Sequence, residues 1–148
     1  LDEIYSIKDG LPPEVNLYNE KNNGEAVLKL INNNLISSVH DVSSGGTILS
    51  LLEMSVSSSI GIKIKKPKKL SNIFEYFFGE DQSRYLIEVE KDNLINVEKT
   101  LKDNNIYFEN IGFTQEEFFE LEKELKIKVK DLYELNNSWY NKYNALNS

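Results

Sequence analysis

The segment from His40 to Gly46 contains the residue types that bind a metal-bound phosphate. It reads His-Asp-Val-Ser-Ser-Gly-Gly and lies between a short apolar run and a longer apolar stretch with helical character. The first amides of a helix have no partner within the helix and carry the positive end of its dipole, so they attract phosphate. Two glycines let a ligand approach the backbone closely. Asp41 supplies the kind of carboxylate that Mg²⁺ takes together with nucleotide phosphates.

A purely structural interpretation of the same segment stays open. In that interpretation Ser43 or Ser44 caps the following helix, the glycines form the turn, and Asp41 accepts hydrogen bonds from backbone amides. The phosphate interpretation instead requires that the Asp41 carboxylate face outward and that the amides of the turn be reachable by a ligand.

A second polar segment runs from Gly79 to Arg84, between the end of a helix and a strand. It contains Glu80, Asp81, Gln82, a serine and the only arginine of the chain. An arginine there can grip a phosphate or carboxylate through two parallel hydrogen bonds. In the alternative, the segment is a solvated loop in which the arginine pairs with one of the two acidic residues.

The composition excludes several kinds of site and partner. The 148 residues contain no cysteine and one histidine, which excludes thiolate sites, multi-histidine metal sites and a cysteine nucleophile. The net charge of −7 argues against a duplex nucleic-acid partner, and no apolar run has the length of a membrane span. We expect one domain over residues 1–148. Because the chain does not begin with methionine, we expect it to be processed or to be part of a longer chain.

The spacing of apolar residues predicts the elements that position both segments. Helices are predicted at residues 17–33, 48–56, 71–78, 92–104 and 132–143. Strands are predicted at residues 35–39, 61–65, 85–90 and 106–113. The segment 118–129 is open between helix and strand, and alternation near its end favours a strand. Alternating helices and strands indicate an α+β or α/β sandwich.

Two details of the short third helix are predicted as well. Ser71 is expected to cap it and Gly79 to end it. Its three phenylalanines, Phe74, Phe77 and Phe78, are expected to pack in the core.

Both polar segments resemble motifs of one known family. Residues 38–46 with the following Leu52-Glu53-Met54 resemble the HDxSxGG…EM pattern of the C-terminal domain of AIR-synthase-related (aminoimidazole-ribonucleotide-synthetase-like) proteins. Residues 78–85 resemble the FGESQSRY stretch of the same domain. The lead-in at 10–20 and the end at 111–139 also match, so the resemblance covers essentially the whole chain. Within this family, the chain is most similar to the phosphoribosylformylglycinamidine synthases of purine biosynthesis. These enzymes have two related halves, and the resemblance is to the second half.

The resemblance implies a cytoplasmic carbon–nitrogen ligase that uses ATP and Mg²⁺, to which this domain contributes without being active alone. In that family the amide oxygen of formylglycinamide ribonucleotide is phosphorylated, and ammonia from glutamine displaces the phosphate. The implied partners are the remaining domains of the parent synthase and a glutaminase domain or subunit; neither nucleic acid nor a membrane is implied. The implied fold is an α/β sandwich of the α+β class, with a mixed sheet covered by helices.

The resemblance also assigns residues. It implies Asp41 as a metal ligand and Ser43, Ser44, Gly45 and Gly46 as nucleotide-binding residues, at an auxiliary site rather than the catalytic one. No catalytic residue is implied within this domain.

By pseudo-symmetry, Glu80, Asp81 and Gln82 correspond to a loop that contacts the ribonucleotide substrate in the first half of the family's enzymes. Two positions depart from the family pattern: Asp81 replaces a serine, and Thr47 replaces a leucine after the double glycine. Two alternatives remain. The first is a structural or interaction domain that binds no ligand, and the second is the related aminoimidazole ribonucleotide synthetase, against which the segment 79–84 speaks.

Overall fold

Helices and strands alternate along the chain in the computed structural model, which describes residues 14–66 and 72–146. The helices are α1 Leu17–Asn32, α2 Gly46–Ser58, α3 Ile73–Phe78, α4 Leu94–Asp103 and α5 Val129–Leu146. The strands are β1 Ser38–Asp41, β2 Gly61–Ile64, β3 Tyr85–Glu88, β4 Gly112–Gln115, β5 Phe118–Leu121 and β6 Leu125–Lys128. None of the described helices is long and apolar enough to cross a bilayer.

The strands form two sheets. In the smaller sheet β1 pairs with β3 in antiparallel register, with Ser38 opposite Glu88 and Asp41 opposite Tyr85. The larger sheet has the order β4-β2-β5-β6, in which β2 and β5 are parallel and the other two pairs are antiparallel. A mixed sheet combined with helices confirms the predicted α+β class.

Two apolar clusters hold these elements together. The larger cluster contains Val42, Ile48, Leu51, Ile64, Phe77, Leu86, Phe119 and Leu121. The smaller cluster joins α1 to α4 through Ala26, Leu30, Val97 and Leu101. Since two members of the larger cluster flank the turn between β1 and α2, burial of apolar surface anchors that turn on both sides.

Two predicted strands have the wrong bounds. The strand predicted at 35–39 begins only at Ser38, because the chain first closes α1 with Asn34 in the left-handed region at φ 52°. The strand predicted at 106–113 is confined to Gly112–Gln115, because Ile106 and Phe108 pack against the smaller cluster instead of pairing. The segment 118–129, which the sequence left open between helix and strand, contains the strands β5 and β6 joined by a turn, and its last residue, Val129, begins α5.

The short helix α3 differs from its prediction in cap and packing. Its N-cap is Asn72, whose side-chain oxygen accepts a hydrogen bond from the amide of Phe74 at 2.9 Å, so the prediction of Ser71 is wrong. Ser71 itself lies outside the described residues. Gly79 follows the last turn, as predicted.

Only one of the three phenylalanines packs as predicted. Phe77 is 1% exposed, whereas Phe74 is 44% and Phe78 is 52% exposed. A helix of six residues turns one narrow face to the core. Phe74 and Phe78, four positions apart, lie on another face, where their rings stack at 6.1 Å. The core prediction is therefore wrong for these two residues.

Candidate nucleotide and metal site

The Asp41 carboxylate lies at the end of β1 and faces outward. Its side chain is 69% exposed, and the His40 ring lies beside it, with Nδ1 3.8 Å from Oδ1 of Asp41. No backbone amide of residues 14–66 or 72–146 donates a hydrogen bond to this carboxylate. Its orientation therefore meets the requirement of the phosphate interpretation and lacks the contacts of the structural one.

Two glycines in the left-handed region make the turn into α2. Gly45 has φ 81° and Gly46 has φ 68°. Gly45 is the N-cap of α2 and has no side-chain hydrogen bond, so neither serine caps the helix. A Cβ on Gly46 would lie 2.7 Å from the carbonyl oxygen of Phe77. The first turn of α2 thus packs directly against the backbone at the end of α3, with no room for a side chain.

The amides of these glycines already have partners in the chain. The amide of Gly46 donates to the carbonyl oxygen of Ser43 at 3.0 Å. The amide of Gly45 donates to Oε1 of Glu80 at 2.8 Å. A carboxylate of the second polar segment therefore occupies an amide that the sequence assigns to phosphate, and a ligand reaches that amide only when Glu80 moves.

The two serines of the turn are more accessible. Ser43 and Ser44 are both exposed. Within the described part of the chain, neither hydroxyl has a hydrogen-bond partner. Both hydroxyls can therefore donate to an incoming phosphate oxygen.

Arg84 fixes the second segment to the helices. Its Nη1 donates to the carbonyl oxygen of Gly79 at 3.3 Å and to Asp81 at 3.1 Å. Its Nη2 donates to Oγ1 of the buried Thr47 at 2.5 Å and to the carbonyl oxygen of Tyr76 at 3.3 Å. The predicted alternative pairing with Asp81 is confirmed, and the guanidinium is used for holding the loop.

Helix α1 also contributes to this region, which sequence reasoning missed. The amide nitrogen of the Asn23 side chain donates to the carbonyl oxygen of Ser83 at 2.8 Å and to its hydroxyl at 3.0 Å. Ser83 is held in the left-handed region at φ 67°. No local pattern could have indicated this contact, because the partners are 60 residues apart.

A second group from α1, Glu20, acts on Tyr85, the cross-strand neighbour of Asp41. Asp41 and Tyr85 are directly opposite across β1 and β3, so their side chains share a face of that sheet. Burial and the negative charges of Glu20 and Asp41 raise the pKa of Tyr85. One carboxylate oxygen of Glu20, Oε2, is buried and has no hydrogen-bond partner in the described structure.

The described residues do not complete a metal centre. No group of three or more His, Cys, Asp or Glu side chains in residues 14–66 and 72–146 converges in a way that could hold a metal ion. The carboxylates on this side of β1 can therefore supply only part of a coordination shell.

Comparison with known proteins identifies the same family as the two sequence motifs at residues 38–54 and 78–85. The family model described as "AIR synthase related protein, C-terminal domain" matches residues 4–123. The phosphoribosylformylglycinamidine synthase subunit PurL of Pelagibacter ubique is 45% identical over 141 residues, which cover 95% of this chain and 19% of that protein. The chain thus spans about a fifth of that relative.

Solved structures show the same fold at low identity. PurL of Thermotoga maritima complexed with ATP aligns with a TM-score of 0.66 and 15% identity, over 76% of this chain and 21% of that one. PurLQS from the same organism aligns with a TM-score of 0.69 and 16% identity, over 89% of this chain and 24% of that one. Together with the family model over residues 4–123, these findings show that the chain belongs to the AIR-synthase-related family, as its C-terminal domain.

Proposed function

We propose that this chain is the C-terminal domain of the second half of a phosphoribosylformylglycinamidine synthase. The parent enzyme would be an ATP-dependent carbon–nitrogen ligase of the cytoplasm that makes formylglycinamidine ribonucleotide from formylglycinamide ribonucleotide and ammonia. The 45% identity to the PurL subunit of P. ubique supports this assignment. Because the chain spans about a fifth of that relative, the catalytic groups would lie in the remaining domains, and the chain alone would be inactive.

The chain's own contribution would be half of an auxiliary site for ATP or ADP with Mg²⁺. The outward Asp41 carboxylate beside two unbonded serine hydroxyls is the observation that carries this proposal. Asp41 would bind the cation, and Ser43 and Ser44 would donate to phosphate. The amide of Gly45 would join them once Glu80 leaves it. The bound Mg²⁺ would neutralise phosphate charge.

Gly46 would shape this site rather than contact the nucleotide. Its amide is used within the turn, and its missing side chain allows α2 to pack on α3. The nucleotide complexes in the family's structures include the T. maritima PurL that is complexed with ATP, which supports a nucleotide as the ligand.

The second segment would contribute little to substrate binding here. Glu80 is bound to Gly45 and Asp81 to Arg84. Of the three residues that the resemblance assigns to the substrate, Gln82 is exposed and has no partner among the described residues. A substrate contact from this loop would therefore fall to Gln82.

The partners of the chain would be the other domains of the synthase and a glutaminase domain or subunit that supplies ammonia. The similarity in fold to the PurLQS structure from T. maritima supports a parent enzyme with more than one component. The alternative of a purely structural domain is favoured by one observation, the occupation of the Gly45 amide by Glu80.

The test is calorimetric titration of Mg-ADP into the parent synthase and its Asp41→Ala and Asp103→Ala variants. Asp103 is an exposed carboxylate at the end of α4 and serves as the matched control. We expect Asp41→Ala to weaken one class of nucleotide sites by roughly tenfold or more, a change of about 1.4 kcal/mol per tenfold, and Asp103→Ala to leave it unchanged. Equal binding by all three proteins would favour the structural alternative.

A further inference from the structure

We propose that one face of helix α5, formed by Leu135, Trp139 and Tyr143, is a docking surface for another part of the parent synthase polypeptide. We call these three residues the α5 face. The surface that docks there is apolar and uncharged. This inference rests on the proposed function, because the occupant is the remainder of the synthase chain.

The α5 face is a contiguous, exposed apolar surface. Its residues are spaced four positions apart, so they lie along one side of the helix. Leu135 is 67%, Trp139 60% and Tyr143 59% exposed. The rings of Trp139 and Tyr143 are 6.5 Å apart, and the ring of Tyr140 lies 5.7 Å from that of Trp139. Contiguous exposed apolar side chains mark interaction sites, and tryptophan and tyrosine contribute most to interface energies.

Most of α5 extends beyond the core of the chain. Val129 is buried, and Leu132 packs against the larger apolar cluster. From residue 133 to residue 145, every described side chain except that of Ser138 is exposed. This part of the helix also contains four asparagines, at positions 136, 137, 141 and 144, which disfavour helix. Because helices in proteins are stabilised mainly by the packing of an apolar face, a helix of this composition indicates a partner for that face.

The charge of the region defines the chemistry of that partner. The chain has a net charge of −7, but Lys142 is the only charged residue between positions 135 and 146. The centre of a protein interface is depleted of charged residues and enriched in aromatic ones. The α5 face therefore fits an apolar, uncharged protein surface.

The extent of the family match indicates which partner this is. The model of the family domain ends at residue 123, before β6 and α5 begin. The match to PurL of P. ubique leaves seven residues of this chain outside it (148 − 141), so it continues into α5 at least to residue 141. Helix α5 is thus shared with a PurL subunit although it lies beyond the domain model. Because the chain spans 19% of that relative, we assign the occupant to the remainder of the same subunit.

The test is hydroxyl-radical footprinting of the parent synthase and of the 148-residue chain, with oxidation measured residue by residue by mass spectrometry. A reference peptide added to both samples reports the radical dose. We expect Trp139 and Tyr143 to be oxidised several-fold more slowly in the parent synthase than in the 148-residue chain, because docking excludes solvent from the α5 face.

A charge placed in the α5 face should undo the docking. In the parent synthase, Trp139→Glu should restore the oxidation rate of Tyr143 to that of the 148-residue chain, because burying an unpaired carboxylate is costly. Trp139→Phe should keep the protection. Tyr107→Glu, the matched control at an 87% exposed position outside α5, should also keep it. In the 148-residue chain, Trp139→Glu should shift Tm by less than about 2 °C, since the position is exposed there.

The contrary results differ from one another. Equal oxidation of Trp139 in the parent synthase and in the 148-residue chain would overturn the inference, whereas the calorimetry with Mg-ADP decides the proposed function separately. Protection in the 148-residue chain that rises with its concentration would assign the face to a second copy instead. Protection of the parent synthase only after a glutaminase subunit is added would assign it to that subunit. A larger loss of Tm in Trp139→Glu would show that the face packs within the chain, which would also overturn the inference.

Discussion

The carboxylate of Glu80 accepts a hydrogen bond from the amide of Gly45 at 2.8 Å, and this contact joins two segments that are 35 residues apart. A carboxylate in that position meets the positive end of the α2 dipole, the same feature that attracts phosphate. The proposed nucleotide site and the proposed substrate loop are therefore one structure, in which the loop supplies an anion of its own.

Removing this carboxylate should have opposite effects on folding and on nucleotide binding. Glu80→Ala should lower the free energy of unfolding by about 0.5–1.5 kcal/mol, because one hydrogen bond and a favourable charge are lost. The same change should tighten Mg-ADP binding to the parent synthase, because the Gly45 amide becomes free. Urea denaturation and calorimetry measure the two effects.

Glu116→Ala is the control for this prediction, because Glu116 is an exposed carboxylate in another part of the chain. It should change neither quantity. Weaker nucleotide binding in Glu80→Ala would show that Glu80 supports the site instead of competing for it.

Alanine substitutions at Gly46 and Gly24, which both lie in helices, should change the free energy of unfolding in opposite directions. At Gly46 a Cβ would meet the Phe77 carbonyl at 2.7 Å, and φ is 68°, so Gly46→Ala should cost at least about 2 kcal/mol. Gly24 lies within α1, and a Cβ there would be in ordinary contact, so Gly24→Ala should raise stability by about 0.4–1 kcal/mol. Urea denaturation tests both, and equal stability of the two variants would refute the close packing of α2 on α3.

Alanine substitutions of the α3 phenylalanines should lower stability by amounts that depend on how deeply each side chain is buried. Phe77 is 1% exposed, so Phe77→Ala should cost about 3–5 kcal/mol through lost burial and a cavity. Phe78 is 52% exposed, so Phe78→Ala should cost less than about 1 kcal/mol. Similar losses in chemical denaturation would mean that the outer face of the helix is buried in solution.

The stability of the chain should fall at alkaline pH because of Tyr76. Burial and the charge of Glu109, which accepts the Tyr76 hydroxyl hydrogen bond at 3.1 Å, raise the pKa of Tyr76 to about 12. An unfolded tyrosine titrates near pH ~10, so the folded state holds this proton more tightly. The resulting stabilisation is complete below that pH and is lost as the pH rises towards 12.

Unfolding measured as a function of pH, with phenolate absorbance in parallel, tests this prediction. Tyr76→Phe should reduce the alkaline decline and leave the part due to Tyr85, whose pKa is also raised, whereas Tyr18→Phe, at a 74% exposed position, should leave the decline unchanged. A phenol at position 76 that ionises together with the exposed tyrosines would contradict the burial described above.

The local parts of the structure were predictable from the sequence, and the long-range contacts were not. The strand, turn and helix from His40 onwards follow from apolar runs separated by two glycines, and Gly79 ends α3 as predicted. The predicted strand at 35–39 starts three residues too early, because Asn34 adopts a left-handed conformation that extends the turn after α1. The spacing of apolar residues does not indicate that an asparagine will adopt this conformation.

In the candidate site, too, local features were predictable from the sequence and long-range contacts were not. Asp41 is the last residue of β1, two positions beyond the end of the strand that apolar spacing predicts at 35–39. The contacts of Asn23 with Ser83 and of Glu80 with Gly45 join residues from separate elements. Tertiary packing decides such pairs, and neither member carries a local signal of its partner.

The most direct test of the account is a crystal structure of the parent synthase grown with ADP and Mn²⁺, with an anomalous map calculated at the manganese edge. The account predicts an anomalous peak at coordination distance, about 2.0–2.2 Å, from a carboxylate oxygen of Asp41, with a phosphate of ADP against Ser43. A map without a peak at Asp41, with its carboxylate bonded to backbone amides and Glu80 still on Gly45, would contradict it.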